Sequence, residues 1–80
     1  MTQQKLTLYY MKNCPYCIKV LKYMKKNDIE VPLKEINEDQ AAEETLKKEG
    51  GKVQVPCLFI AGEPLYESDD IIQWFKNNWE

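Results

Sequence analysis

Cys14-Pro15-Tyr16-Cys17 is the stretch of this 80-residue chain whose residue types and spacing point most directly to chemistry. Two thiols three apart on one helical turn can exchange with a third sulfur and then with each other, provided one of them ionises. The flanking residues are arranged for that. Leu6-Thr7-Leu8-Tyr9 reads as a strand that begins after the polar residues 1–4 and ends near Tyr10. A helix from about Pro15 to Lys26 follows, with Cys17, Val20, Leu21 and Met24 on one face and Lys19, Lys22, Lys25 and Lys26 largely on the other. Proline suits the first helical turn, because its missing N–H would have had no intrahelical partner there. Cys14 therefore falls at the helix N-terminus. Unpaired backbone N–H groups and the positive end of the helix dipole favour the thiolate, the attacking species. Lys12 adds a positive charge nearby. Cys17, one turn further in, is placed to attack a mixed disulfide at Cys14.

Other chemistries of a C-x-x-C pair fit less well. A structural zinc site takes four ligands from Cys and His, and this chain has three cysteines and no histidine. A disulfide staple across one helical turn closes too short a loop to constrain the unfolded chain. Without histidine there is also no base for a protease-like cysteine. Cys57 directly follows Pro56 at the head of an apolar run and reads as a small buried residue, with a regulatory thiol as the other reading.

Eighty residues make one domain, 1–80, near the small end of what a single core supports. With 44 % hydrophobic residues the chain suits a compact globule. A net charge of −2, with every basic residue a lysine, gives no case for nucleic acid, and the lysines of the first helix read as a solvated face. No apolar run resembles a signal peptide or reaches membrane-spanning length, and three cysteines are too few for a secreted disulfide scaffold. The expectation is a monomer in a reducing cytoplasm.

Several elements must position the dithiol. Residues 29–36 read as a second strand, with Val31 and Leu33 on one face and Pro32 suited to a sheet edge. Asn37 with Gln40 resembles a capping box for a second helix over about 39–49, ended by Gly50-Gly51. Leu46, Ala41 and Ala42 give that helix only a thin apolar stripe. Cys57-Leu58-Phe59-Ile60 is an apolar strand, turned through Ala61-Gly62-Glu63 into a short strand at 64–66. Ser68-Asp69-Asp70 opens the last helix as a serine cap with acidic residues in the first turn. Ile71, Trp74, Phe75 and Trp79 are expected on the buried face of that helix, with Ile72 at its margin. The order β-α-β-α-β-β-α, with a parallel first pair, predicts an α/β fold: a mixed four-stranded sheet with helices on both faces.

In order and spacing, three motifs resemble the glutaredoxin family: Cys14-Pro15-Tyr16-Cys17 after a strand, Val55-Pro56 before an apolar strand, and Gly62…Ser68-Asp69-Asp70 before the last helix. The resemblance covers nearly the whole chain. It implies a thioredoxin-like fold, a cis Val55–Pro56 bond, and reduction of protein disulfides and glutathione mixed disulfides with glutathione as co-substrate and no metal. The chain departs from the family pattern in three places, covering four residues. Met11 stands where a lysine is common, one residue before Lys12; Gln54 replaces a usual threonine; Tyr66-Glu67 replaces a Gly-Gly. Glu67-Ser68 is similar to the pair used by glutathione S-transferase N-terminal domains.

With the resemblance, the expected roles are Cys14 as nucleophile and Cys17 as resolving thiol, with glutathione held by Lys12, Tyr16, Val55, Pro56, Glu67, Ser68 and Asp69. The helix start at Ser68 offers N–H groups to the γ-glutamyl carboxylate, and an acidic side chain there suits the adjacent ammonium. Val55 offers backbone groups to the cysteinyl part in a strand-like pairing. Other readings stay open: a redoxin served by a thioredoxin reductase, a transferase-type glutathione-binding module, and an iron–sulfur carrier, which Pro15 disfavours.

Overall fold

A computed structural model describes residues 5–78. The chain runs through β1 (Leu6–Tyr10), α1 (Pro15–Lys26), β2 (Leu33–Glu35), α2 (Gln40–Gly50), β3 (Cys57–Ile60), β4 (Glu63–Tyr66) and α3 (Ser68–Asn78). The four strands form one sheet in the order β2-β1-β3-β4. β1 pairs parallel with β2 and antiparallel with β3, and β3 and β4 form an antiparallel hairpin. This is the mixed four-stranded sheet expected from the element order, and it has the thioredoxin-like arrangement that the family resemblance implies.

Alternation along the two central strands divides the core. Leu6, Leu8 and Leu58 join Val20 and Met24 of α1 and Ile71 and Phe75 of α3. Tyr9, Cys57 and Phe59 join Ala42 and Leu46 of α2 on the opposite face, with the Tyr9 and Phe59 rings 5.0 Å apart. α1 and α3 thus cover one face of the sheet and α2 the other. The thin stripe of α2 is real: only Ala42 and Leu46 are buried on it.

Local departures from the sequence reading have identifiable causes. The second strand spans three residues, not eight. The Ile29 N–H bonds back to the Met24 carbonyl at 2.8 Å, and Pro32 has no N–H, so the segment before Leu33 is a poor ladder partner. Val31 is buried, whereas Leu33, on the outermost strand, is 46 % exposed. The Asn37–Gln40 capping box does not form. Glu38 and Asp39 bond back to the Glu35 carbonyl, and α2 is capped by Asp39, whose carboxylate accepts from the Ala42 N–H at 3.2 Å. Gly51 ends α2 in the left-handed region at φ 84°. Ser68 is the first residue of α3 and not its cap, since the Ile71 N–H reaches the Glu67 carbonyl at 3.0 Å. Ile71 and Phe75 are the apolar residues α3 buries, and Trp74 is only partly covered; Trp79 lies outside the described residues.

Candidate active site: a dithiol at a helix N-terminus

Cys14 is the N-cap of α1, in extended conformation, with Pro15 in the first helical turn. Its carbonyl accepts the Ile18 N–H at 2.9 Å, and its own N–H donates to the Met11 carbonyl at 3.3 Å. Its sulfur therefore sits at the positive end of a 12-residue helix whose first turn contains no acidic residue. Cys14 is half-buried, Cys17 and Cys57 are fully buried, and all three thiols are free.

Cys17 lies under Cys14. Burial pushes its thiol up to about 12; the Met11 N–H, 3.4 Å from its sulfur, pulls the other way, and hydrogen bonding to Cys14 raises it further. The pair is thus asymmetric, with one thiol near the surface and one held protonated beneath it. Cys57 is remote in character. It belongs to the α2 side of the core, and burial raises its thiol to about 11.

Beside the dithiol lies a cleft of about 290 Å³ lined by Tyr16, Gln54, Val55, Pro56, Glu67, Ser68 and Asp69. Three chain segments build it. The start of α1 brings Tyr16, which is 65 % exposed. The loop before β3 brings Val55 and Pro56, joined by a cis peptide bond. The start of α3 brings Ser68 and Asp69, preceded by Glu67 in the left-handed region at φ 72°. Six of the seven glutathione-binding residues expected from the sequence thus meet in one place. Lys12 does not line this cleft. Its Nζ lies 2.5 Å from Glu38 Oε2, and that hydrogen bond and charge raise the lysine's pKa.

Four further residues bear on the site and escaped the sequence reading in that role. Gln54 lines the cleft and donates from Nε2 to Glu67 Oε2 at 3.3 Å. Lys19, read as part of a solvated face, forms an ion pair with Asp69 across the α1–α3 contact. Glu38 engages Lys12. Glu35, at the end of β2, is a buried carboxylate behind the loop that leads into Cys14. Gln54 adjoins the Val55-Pro56 motif, but nothing local marks Lys19, Glu38 or Glu35; each is identified by a partner 23 to 50 positions away in the sequence.

A model of the glutaredoxin family matches residues 6–65. This chain belongs to the glutaredoxin family. Its relatives include a glutaredoxin 1 from Rickettsia prowazekii, 30 % identical over 74 residues that span 89 % of this chain and 77 % of the relative. Among solved structures, oxidized glutaredoxin 2 from Chlamydomonas reinhardtii is 26 % identical with a TM-score of 0.68, over 92 % of this chain and 73 % of that one. The same fold recurs inside a larger protein, glutathione transferase Omega 3C from Trametes versicolor. That match is 25 % identical with a TM-score of 0.76, covering 95 % of this chain but 34 % of the transferase. Family membership supports a thiol–disulfide oxidoreductase function for this chain. Among the described residues, no group of three His, Cys, Asp or Glu is placed to hold a metal ion, and no helix is long and apolar enough to cross a membrane.

Proposed function

We propose that this glutaredoxin-family chain reduces protein–glutathione mixed disulfides and protein disulfides with electrons from glutathione. The Cys14 thiolate attacks the glutathione sulfur of a mixed disulfide. A Cys14–glutathione bond forms as the protein–glutathione bond breaks, and the protein sulfur leaves as a thiolate that takes up a proton. A second glutathione thiolate then displaces Cys14, giving oxidised glutathione and restoring the nucleophile. With a protein disulfide, Cys14 forms a mixed disulfide with the substrate and Cys17 resolves it. The substrate leaves as a dithiol, and the resulting Cys14–Cys17 bridge is reduced by two glutathiones.

The observation that carries this reading is the juxtaposition of the cleft with the half-buried thiol. Tyr16 on the cleft wall is two residues from Cys14, and the N-terminus of α3 lines the same cleft. Backbone N–H groups at that terminus suit the γ-glutamyl carboxylate. The Asp69 carboxylate exchanges its Lys19 partner for the ligand's ammonium, Val55 pairs its backbone with the cysteinyl part, and Pro56, Tyr16 and Glu67 complete the walls. Lys12 serves the ligand only after leaving Glu38. We place this chemistry in a reducing compartment such as the cytoplasm, acting as a monomer.

The deciding assay is reduction of a small glutathione mixed disulfide, with glutathione plus its reductase in one arm and thioredoxin reductase in the other. Turnover is expected in the first arm. Cys14→Ser abolishes it, while Cys17→Ser retains it and loses protein-disulfide reduction. Turnover confined to the thioredoxin-reductase arm overturns the glutathione assignment, and a Cys17→Ser variant as inactive as Cys14→Ser on the small substrate overturns the monothiol step.

A further inference from the structure

Glu35 is the one charged side chain that is buried among the described residues. Both of its carboxylate oxygens are occupied by backbone donors: Oε2 accepts from the Lys12 N–H at 2.9 Å, and Oε1 from the Asn37 N–H at 2.5 Å. The Lys12 bond joins the end of β2 to the loop between β1 and α1. One residue earlier in that loop is Met11, whose N–H meets the Cys17 sulfur at 3.4 Å and whose carbonyl accepts the Cys14 N–H at 3.3 Å. On the strand side, the Ile36 N–H holds the Tyr10 carbonyl at 3.0 Å. Residue Met11 is thus pinned from one side by β2 and its terminal carboxylate, and from the other it touches both cysteines.

We propose that Glu35 is a positioning residue for the dithiol: its grip on the Lys12 N–H fixes Met11 so that the Met11 N–H supports Cys17 when that sulfur carries charge. The inference rests on the reading of Cys17 as the resolving thiol. In the resolving step Cys17 gives up its proton to solvent and its thiolate forms the bond to the Cys14 sulfur. The substrate sulfur leaves with the electron pair and takes up a proton. A fixed N–H donor at Cys17 stabilises the thiolate both as it attacks in this step and as it departs when the bridge is reduced. The carboxylate itself works in the opposite sense through space, since its negative charge disfavours a second anion at Cys17. Geometry and charge therefore predict opposite consequences of removing Glu35. The titratable and charged groups acting on Cys17 are Cys14 from the head of α1 and Glu35 from β2; on Glu35 they include Lys12. Hydrogen bonding from the Lys12 N–H leads the causes that hold the Glu35 carboxyl below its ordinary range, so it remains charged where thiols exchange.

Two variants separate the effects. Glu35→Gln removes the charge and one of the two acceptors, since an amide offers one oxygen and an N–H₂ donor. Glu35→Asp keeps charge and both acceptors but shortens the reach. The measurement is single-turnover closure of the Cys14–Cys17 bridge after Cys14 has formed a mixed disulfide with a small aromatic disulfide, followed by release of the second thiol across pH 6–10. Attack by Cys14 is read separately in Cys17→Ser proteins. Positioning predicts that Glu35→Gln slows closure about tenfold, the loss of roughly one charge-assisted hydrogen bond, and moves the rising limb of its pH profile upward. It predicts that Glu35→Asp also slows closure, by a smaller factor, while the attack step changes less than about twofold in either variant. Closure at the native rate in Glu35→Asp, or a rising limb shifted to lower pH in Glu35→Gln, means that Glu35 acts only as a charge and overturns the proposal. Equal losses in attack and closure would reduce it to a general stabilising role and also overturn it. Failure of the unsubstituted protein to close the bridge at all would instead refute the dithiol reading on which the inference stands.

Discussion

Burial raises the thiol of Cys17 to about 12 and that of Cys57 to about 11, because a thiolate in either place would lose its hydration. Cys14 is half-buried at the start of α1 and is the most exposed of the three thiols. Iodoacetamide at pH 8 should therefore label Cys14 alone in the folded protein, with Cys17 and Cys57 at least about 100-fold slower, since only the thiolate reacts. Peptide mapping after timed quenching checks this; labelling of Cys57 at the rate of Cys14 would contradict the burial found here. The same burial has a consequence for stability. The Cys57 thiol titrates near 8.5 when unfolded but about 11 when folded, so its contribution is fully present below about pH 8.5 and is lost as pH rises toward 11. Denaturant unfolding at pH 8, 9 and 10 should show stability falling with pH. Cys57→Ala should flatten that fall by up to about 1.4 kcal/mol per pH unit, the linkage of one proton. An unchanged slope in the alanine variant would mean that Cys57 ionises as freely in the fold as out of it.

Two elements bear weight out of proportion to their length. α2 rests on the sheet through Ala42 and Leu46, and Leu46 is fully buried against the face carrying Cys57. Leu46→Ala should destabilise the protein by about 2–5 kcal/mol, measured by urea unfolding; a loss below about 1 kcal/mol would show that α2 is held by other contacts. Its C-terminal end is tied down as well, for the Tyr66 hydroxyl donates to the Gly50 carbonyl at 3.0 Å and a Cβ on Gly50 would collide with that hydroxyl. The β3–β4 hairpin turns through Ala61 and Gly62 at φ 52° and 89°. A turn with both central residues in the left-handed region favours Asn-Gly, and alanine there is strained. Ala61→Asn should raise stability by about 0.5–1 kcal/mol without changing thiol reactivity. A melting temperature at or below that of the unsubstituted protein would argue against it.

At the scale of the whole molecule, the site is the place where three separate chain segments converge, and its charges are already paired across them. Asp69 answers Lys19 from α1, and Lys12 answers Glu38 from the segment before α2. These side chains are half or more exposed, so each pair is weak and exchangeable, and salt screens it. Asp69→Ala should therefore raise KM for glutathione conjugates about two- to fivefold, less at high salt, with the alkylation rate of Cys14 unchanged. Lys12→Ala should change KM less. The reverse order of effects would show that the start of α3 only closes a helix and that Lys12 reads the ligand.

The boundaries of α1 and β3, the hairpin and the mixed sheet were legible in the sequence because each rests on local chemistry. Proline fixes a helix start, apolar alternation fixes a strand face, and glycine fixes a turn. Glutaredoxin-family motifs added Val55, Pro56 and Ser68, since their order along the chain survives without knowledge of the fold. Where local signals competed, the reading missed. The Asn37–Gln40 pattern lost to Asp39, because the Glu35 carboxylate and carbonyl had already taken the Asn37, Glu38 and Asp39 N–H groups. Lys19 looked solvated because its partner Asp69 lies 50 residues on, and Lys12 looked directed toward Cys14 and glutathione because its partner Glu38 lies 26 residues on. Nothing in the sequence marked Glu35 beyond its place within the second predicted strand. What made it a buried carboxylate behind the dithiol is the parallel pairing of β2 with β1, which sets Glu35 opposite Tyr10 just where the chain turns toward Cys14. Local sequence encodes backbone preference and amphipathic faces; which charge meets which donor depends on segments far apart in the chain, and only the folded sheet brings them together.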